Sequence, residues 1–424
     1  MFQILIAIVG AIIGAAINWC IYNLGYDRKP VSPWSKASDG QSRNSMEYVP
    51  IVGWMFRKAE EEQLGKRFWL RPLFIELAWA IVLPFFYGWL QHGGLTEGVA
   101  TPTNVTMVWF VGYTIMFALL SVATFIDFDQ RIIPDTITVT GTIIALIIAG
   151  FYPSFRLPVV SGGLGGMEIR PLHFGDGGPL PTWHPTYYGL LVAILIAATW
   201  ALALLPKFSL QALNWKSLKI VIVSTVRFLQ KNKLKRRMQT RRTGINLLIL
   251  GAVLIIAIAI GWSRGGAQWE SLFGAVVGLG FGGMMVWLVR IVASHSLGRE
   301  AMGFGDVTLM AMIGAFLGWQ SALITFALSP FAALAIVFLN ALITKENELA
   351  FGPYLCLGAV INVLCWTTIW PLAHLQFFRH PKVLMIVLAV SLVALGGMLL
   401  CLRWIRGDEP DIDQASDGEH GEAG

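Results

Sequence analysis

The chain has 424 residues, of which 56% are hydrophobic and only 13% are charged, and its mean hydropathy is +0.65. About a quarter of the residues of a soluble protein are charged, so this composition excludes an ordinary soluble domain and predicts an all-α polytopic membrane protein. The net charge of +6 is interpreted as an asymmetry between loops rather than as a nucleic-acid-binding surface. The four cysteines lie in apolar stretches without a Cys-x-x-Cys pair, which argues against a zinc site or a disulfide scaffold.

Apolar runs of roughly 20 residues, the length that a membrane helix needs, recur along the chain. The first is interpreted as a retained span rather than a signal peptide, because no basic residue precedes it. The runs predict about ten to eleven transmembrane helices, including a short half-span at 306–318 that forms a hairpin with the run after it. The predicted full spans are 2–24, 72–91, 105–126, 136–153, 186–206, 244–262, 270–293, 320–343, 353–372 and 383–406.

The spans divide the chain into eight predicted parts. They are the first span 1–24, a cytoplasmic cap loop 25–71 without cysteines, helices 72–153, an external loop 154–185, a span 186–206, a basic cytoplasmic interfacial segment 207–243, helices 244–406 and a disordered acidic tail 407–424.

Basic residues determine the predicted orientation. Loop 25–71 carries nine Lys and Arg, and segment 207–243 carries eleven with no acidic residue. Cytoplasmic loops are enriched in Lys and Arg, so both segments are placed in the cytoplasm, with the N-terminus outside and the C-terminus inside. The alternation of apolar and basic residues in 207–243 favours a helix on the anionic lipid of the cytoplasmic leaflet over a nucleic-acid contact.

External loop 154–185 carries two histidines, His173 and His184, eleven positions apart. Without a third ligand, they favour a solvated loop over a metal site.

Two aspartates lie where apolar runs end or begin. Asp127 closes the run 105–126, and Asp306 follows Met302-Gly303-Phe304-Gly305 at the start of another run. A carboxylate in this setting is costly unless it is paired, neutral or in contact with water. Each also has an ordinary explanation, since Asp127 could be an interfacial carboxylate and Asp306 a helix cap. By the predicted topology both lie at the cytoplasmic face.

A third motif, Phe351-Gly352-Pro353-Tyr354, opens the next span. Three motifs occur in this order along the chain: Asp127 followed by Pro134-Asp135, then Gly-Phe-Gly-Asp306, then 351–354. Their sequence and order resemble those of the type IV prepilin peptidases. The N-terminal part is similar too: Asn18-x-Cys20-Ile21-Tyr22, Tyr48-Val49-Pro50 with Trp54, and Arg71-Pro72 with Glu76-Leu77 match the stretches typical of that family. The resemblance covers about 1–150 and 244–372.

The resemblance implies a GxGD-type intramembrane aspartic protease of the bacterial inner membrane. Its substrates would be type IV prepilins or pseudopilins, whose basic leader it would cut at the cytoplasmic face. The catalytic residues would be Asp127 and Asp306, and the residues that shape the site would be Gly303, Gly305, Gly352 and Pro353.

Three departures from the family pattern limit what the resemblance implies, one of which is that the region 154–243 between the two aspartates is longer than expected. Loop 25–71 has no cysteine, whereas the family often has two Cys-x-x-Cys pairs there, associated with a metal and with N-methyltransferase activity. No metal and no other cofactor is therefore expected, and S-adenosylmethionine would bind only if methyl transfer were retained. In addition, Thr308 stands where the family usually has Lys.

Two neighbouring carboxylates cannot both ionise cheaply and would share one proton. Because Asp306 would begin a helix and Asp127 would end one, the helix dipoles favour Asp306 as the ionised base and Asp127 as the proton carrier.

Two other functions remain open. One is a presenilin-like intramembrane protease, which shares Gly-x-Gly-Asp but carries Tyr-Asp and Pro-Ala-Leu elsewhere. The other is a proton-coupled transporter, which would be expected to place its acids at mid-span on broken helices.

Overall fold

The computed structural model describes residues 1–25, 31–32, 34–35, 43–57, 60–163, 166–176, 183–204, 251–298, 302–343, 351–378 and 380–406. The predicted interfacial segment 207–243 and the predicted tail 407–424 lie outside these residues. The all-α polytopic architecture is confirmed, because each of the eleven predicted apolar segments contains a helix in the described part of the chain.

The helices follow the apolar runs closely. They are α1 (Phe2–Leu24), α2 (Leu70–Gln91), α3 (Thr103–Gln130), α4 (Asp135–Phe151), α5 (Tyr187–Ala203), α6 (Gly251–Arg264), α7 (Gly266–Leu297), α8 (Phe304–Leu317), α9 (Trp319–Ile343), α10 (Gly352–Leu364), α11 (Trp366–Ala373) and α12 (Pro381–Arg406). Short 3-10 turns at Ser45–Tyr48 and Val52–Phe56, and one α-helical turn at Glu61–Leu64, lie between α1 and α2.

By length and composition, four of the described helices can each cross a membrane alone: α1, α2, α3 and α7. The predicted span 353–372 consists of two helices, α10 and α11, which meet at Cys365 with a bend of 92°. If that bent pair is counted as one span, the number becomes five. The remaining apolar helices are shorter.

Helix α8, the predicted half-span, is the centre of the bundle. Every residue from Asp306 to Leu317 is buried. α7, α4, α9 and α10 pack around it. Its closest neighbour is α7, where Gly278 and Gly314 face each other across the interface, so that a Cβ on either one would collide with the backbone of the other. Small residues at such a crossing allow two membrane helices to pack backbone to backbone.

At one end of the bundle, the described part of the predicted external loop contains two β-strands. An antiparallel hairpin joins β1 (Pro158–Gly163) to β2 (Gly166–Pro171), with Pro158 paired to Pro171. The sequence analysis did not predict this hairpin. Two side chains of α9 form hydrogen bonds to the residues after β2. Trp319 Nε1 donates to the Phe174 carbonyl at 2.9 Å, and Gln320 Nε2 donates to the His173 carbonyl at 2.9 Å.

Arg156, between α4 and β1, is only 2% exposed and lies against the end of α8. None of its guanidinium nitrogens has a hydrogen-bond partner in the described part of the chain. Burial lowers the pKa of this guanidinium to about 10, so it is still cationic at neutral pH. Its charge is placed favourably, because Gly318 is the C-cap of α8 and a helix C-terminus attracts cations.

The packing of the Arg156 guanidinium against the end of α8 depends on the absence of a side chain at Gly318, and a substitution can test this. Gly318 has φ 89° and ψ 168°, and a Cβ there would lie 2.5 Å from Arg156 Nη2. Gly318→Ala should therefore lower the free energy of unfolding by about 2–4 kcal/mol, from backbone strain and overpacking together. Thermal unfolding of the purified protein in detergent measures the loss.

Gly65 provides the matched control. It has φ 94° and ψ 154°, and nothing lies within 4 Å of its Cβ position. Gly65→Ala should show only the strain, about 1–2 kcal/mol. Equal losses in the two variants would contradict a role for the packing against Arg156.

Candidate active site

Asp127 lies in the last turn of α3 and is 5% exposed. Its backbone carbonyl accepts the Arg131 N–H that closes the helix. Its carboxylate accepts a hydrogen bond from the backbone N–H of Gly352, the first residue of α10. The turn that ends α3 therefore holds a buried carboxylate against the start of another helix.

Asp306 lies in the first turn of α8 and is 7% exposed. Gly303 is the N-cap, and the Asp306 carboxylate accepts a hydrogen bond from its backbone N–H. This is the reciprocal half of a capping box, in which the third helical residue reaches back to the cap. Asp306 is therefore not the N-cap residue of α8, but its carboxylate still caps the helix from the first turn and lies at the helix N-terminus.

The structure brings Asp127 and Asp306 to one place. Their carboxylates interact electrostatically, although they lie far apart in the sequence. The buried thiol of Cys356, one turn into α10, interacts with both of them. Ile133, in the connection between α3 and α4, lies against both Gly305 and Gly352. The three sequence motifs therefore converge on a single buried site.

The sequence analysis did not identify the N-terminus of α10 as a hydrogen-bond donor to the Asp127 carboxylate. Sequence reasoning placed Asp127 at a helix C-terminus and Asp306 at a helix N-terminus, and assigned the proton from that difference. In the structure the start of α10, with Pro353 in its first turn, also points at Asp127. Both carboxylates thus face the positive end of a helix, so the dipole argument no longer separates their roles.

A basic residue near the site was also missed. Arg290 of α7 interacts electrostatically with Asp306, and its Nε donates to the Met302 carbonyl at 2.8 Å. Thr308, the position that departs from the family pattern, donates its hydroxyl to the Gly305 carbonyl at 3.0 Å. The positive charge beside Asp306 therefore comes from a neighbouring helix. An isolated Arg in an apolar run gave no signal that it reaches this loop.

The two other nearby aspartates have separate roles. Asp129 forms an ion pair with Arg71 at 2.8 Å, and both side chains are more than a third exposed. It therefore points away from Asp127 and towards α2. Asp135 is the first residue of α4, where a carboxylate is favoured by the helix dipole.

A second polar centre lies at the same end of the bundle. The fully buried Glu76 of α2 accepts hydrogen bonds from the Ile51 N–H at 2.6 Å, from Trp54 Nε1 at 2.9 Å and from Asn18 Nδ2 at 3.1 Å. Ile51 has φ 66°, an unusual conformation for a β-branched residue. The motifs in α1, the cap loop and α2 that resemble the family therefore meet at one carboxylate.

The two histidines of the predicted external loop flank a carboxylate of α7. Glu270 lies 3.1 Å from His173 Nδ1 and 3.8 Å from His184 Nε2. Sequence reasoning did not identify this third group. Over the residues that the structure describes, no group of three or more His, Cys, Asp or Glu has the arrangement of a metal site.

Comparison with known proteins supplies independent evidence. Residues 239–338, which include Asp306, match the model of the type IV leader peptidase family. The resemblance to the type IV prepilin peptidases is thereby confirmed. Asp127 and the motif 351–354 lie outside the matched segment.

The similar relatives are proteins named prepilin leader peptidase/N-methyltransferase. The one from Pectobacterium carotovorum is 35% identical over 97 residues, covering 22% of this chain and 35% of the relative. The one from Pseudomonas aeruginosa is 36% identical over 111 residues, covering 26% of this chain and 37% of the relative. The one from Escherichia coli K12 is 31% identical over 101 residues, covering 23% of this chain and 43% of the relative. The chain thus spans about two fifths or less of the length of these relatives. No solved structure matches.

The role of the buried Glu76 carboxylate can be tested through stability. Glu76→Gln would replace one carboxylate oxygen, which accepts hydrogen bonds, with an amide NH₂, which can only donate. At least one of the buried donors, the Ile51 N–H, Trp54 Nε1 or Asn18 Nδ2, would then lose its acceptor. We expect the free energy of unfolding to fall by about 1–3 kcal/mol. Limited proteolysis should also cut the cap loop near Ile51 faster, since its unusual backbone conformation would no longer be anchored.

Glu61→Gln is the control for this substitution. Glu61 accepts a single indole hydrogen bond, from Trp69 at 2.9 Å, in a part-buried position. Its replacement should change stability by less than about 0.5 kcal/mol. A loss as large as that of Glu76→Gln would argue against a special role for the buried carboxylate.

The close approach of α10 to Asp127 gives a second test. A Cβ on Gly352 would lie 2.5 Å from Asp127 Oδ2, whereas one on Gly303 would lie 3.9 Å from Asp306 Oδ2. Gly352→Ala should therefore lower the free energy of unfolding by about 1–3 kcal/mol through overpacking. Gly303→Ala should be tolerated. Thermal unfolding of both variants in detergent makes the comparison.

A double-mutant cycle assigns the cause. If the Cβ collides with the carboxylate, Gly352→Ala should cost less in an Asp127→Ala background, with a coupling of about 0.5–3 kcal/mol. Additive losses would mean that the new methyl group strains something other than Asp127.

Proposed function

We propose that the protein is a membrane-embedded aspartic endopeptidase, which cleaves the basic leader of type IV prepilins or pseudopilins. The observation that carries the proposal is the pair formed by Asp127 of α3 and Asp306 of α8, two buried carboxylates that interact electrostatically. Burying two acids side by side is unfavourable for folding, so a chemical role accounts for the arrangement better than stability does.

The pair acts as a single acid–base unit in this proposal. Two close carboxylates hold one proton between them, so one is charged and the other neutral. The charged member takes a proton from a water molecule, which attacks the carbonyl of the scissile bond. The neutral member donates a hydrogen bond to that carbonyl and then protonates the leaving amine. We assign the shared proton to the pair and not to one residue.

The surrounding groups hold the pair in place. The N–H groups of Gly303 and Gly352 each donate to one carboxylate. Gly305 and Gly352 shape the site by allowing the starts of α8 and α10 to lie close to Ile133 and Asp127. Gly303 contributes its N–H, and Pro353 lies in the first turn of α10. No metal or other cofactor enters this mechanism, since the chemistry requires only the two carboxylates and a water molecule.

The ion pair of Arg71 with Asp129 supports a cytoplasmic site. It joins the start of α2 to the end of α3, so the aspartates share a membrane face with basic loop 25–71. Loops rich in Lys and Arg remain in the cytoplasm. We therefore place the protein in the bacterial inner membrane, in contact with its anionic lipid, with the active site at the cytoplasmic side.

The substrate class follows from the relatives, which are named prepilin leader peptidases. We limit the proposal to peptide-bond cleavage. Loop 25–71 contains none of the cysteines that accompany methyl transfer in the family, so a role for S-adenosylmethionine is not part of it.

A proton-coupled transporter is less compatible with the site. Asp127 lies in the last turn of α3 and Asp306 in the first turn of α8, at the same end of the bundle. A proton relay across the membrane requires acids distributed through its depth.

The proposal is tested by Asp127→Asn and Asp306→Asn. Each substitution keeps the shape of the side chain but removes its titratable proton. Each should reduce cleavage of a prepilin at least about 10³-fold, and the double variant should be no worse, because residues that act as a unit are not additive. Mass spectrometry of a purified prepilin incubated with the purified protein measures the leader released.

Asp129→Asn and Asp135→Asn are the matched controls. Asp129 takes part in an exposed ion pair with Arg71, and such pairs contribute about 0–1 kcal/mol. Both controls should keep most of the activity. Normal cleavage by Asp306→Asn together with loss in Asp129→Asn would mean that the wrong pair has been identified.

A further inference from the structure

An apolar groove runs along the bundle beside the two aspartates. Its walls are α2, α3 and α10, and its volume is about 760 Å³. We name it the α2–α3–α10 groove. None of its 19 lining residues is charged, and only Thr114, Ser121 and Thr124 carry a hydroxyl. The Ser121 hydroxyl donates to the Phe117 carbonyl of its own helix at 2.8 Å, so it does not need a ligand.

The groove ends at the candidate active site. Thr124 and Phe128, from the turn of α3 that carries Asp127, line it, and so does Pro353, the residue after the glycine that donates to Asp127. Cys356 lines it as well and interacts electrostatically with both aspartates. A segment lying in the groove would therefore lead directly to the two carboxylates.

The length of the groove fits a helix. Along α3 its lining extends from Thr114 to Phe128, which corresponds to about 21 Å at 1.5 Å per residue. The same rise gives about 14 residues for a helix lying beside it, a large part of a membrane span. A chain bound there would be apolar along the groove and would become polar only at the aspartates.

We propose that the substrate is apolar and helical on the side of the scissile bond opposite its basic leader, and that the α2–α3–α10 groove binds this apolar helix. The inference rests on the proposed protease function and extends it from the cleavage site to the part of the substrate held in the membrane. Continuity of the groove with the aspartates favours a substrate helix over lipid, because only a peptide in the groove also delivers a peptide bond to them.

Cys356 allows a direct test. The full-length protein would carry Asp306→Asn to prevent cleavage, with Cys20, Cys365 and Cys401 changed to Ser. A prepilin with single cysteines placed through the first four turns of its apolar helix would be added, and copper phenanthroline would oxidise close thiol pairs to disulfides. We expect cross-links to Cys356 close to the scissile bond, recurring every three to four positions as one face of a helix requires.

A protein that retains only Cys365 is the matched control. Cys365 is exposed, ends α10 and does not line the groove, so it should not cross-link to the positions near the scissile bond. Cross-links at Cys365 equal to those at Cys356, or links without helical period, would overturn the inference. So would complete loss of the Cys356 link in excess phospholipid, which would make lipid the resident occupant.

Filling the groove provides a second measurement in the cleaving protein. Ser121→Phe places a ring in the groove, whereas Val111→Phe places one on the exposed surface of the same helix, where Val111 is 54% exposed. The KM of Ser121→Phe should rise about tenfold with kcat little changed, since binding in the groove precedes chemistry. Val111→Phe should resemble the unmodified protein. Equal KM values for the two variants would contradict the inference.

The two ideas fail in different ways. Cys356 cross-links combined with normal cleavage by Asp127→Asn would refute the aspartic protease and leave the groove in place. Loss of cleavage in both aspartate variants without any Cys356 cross-link would refute the groove alone.

Discussion

A buried carboxylate in an apolar bundle must find hydrogen-bond donors, and this requirement governs the end of the molecule where the site lies. Three carboxylates are buried there, those of Asp127, Asp306 and Glu76. Asp127 accepts from Gly352 of α10, and Glu76 accepts from Ile51, Trp54 and Asn18. Asp306 accepts from Gly303, the N-cap of its own helix. Without those donors each acid would cost several kcal/mol to bury.

Backbone N–H groups serve this purpose because they are already available at helix starts. The first N–H groups of a helix have no partner within it. The starts of α8 and α10 therefore supply donors without any additional polar side chain in the membrane. Glycine at positions 303 and 352 is compatible with that role, and at 352 a side chain would occupy the space of the Asp127 carboxylate. At Asp127 the same contact also packs the start of α10 against the end of α3.

The bundle positions these helix starts by close packing around α8. Backbone contact between Gly278 and Gly314 fixes α8 against α7, and Arg156 holds its far end at Gly318. Because α8 is buried along its whole length, a shift at one end would be transmitted to Asp306 at the other. The ordered hairpin of the external segment, attached to α9 through Trp319, completes the packing at that far end.

The sequence by itself determined the class of the protein, the positions of its helices and the identity of the candidate acids. These features are local: apolar runs of a given length form helices, and an acid beside such a run is visible at once. The bend at Cys365, the hairpin at Pro158–Pro171 and the ion pair of Asp129 with Arg71 were not predicted. Nor was the role of the α10 N-terminus at Asp127, the approach of Arg290 to Asp306, or the groove that opens beside them. Only the tertiary structure decided these, because each depends on which helices pack side by side, and apolar surfaces pack with little directional preference that a sequence pattern could reveal.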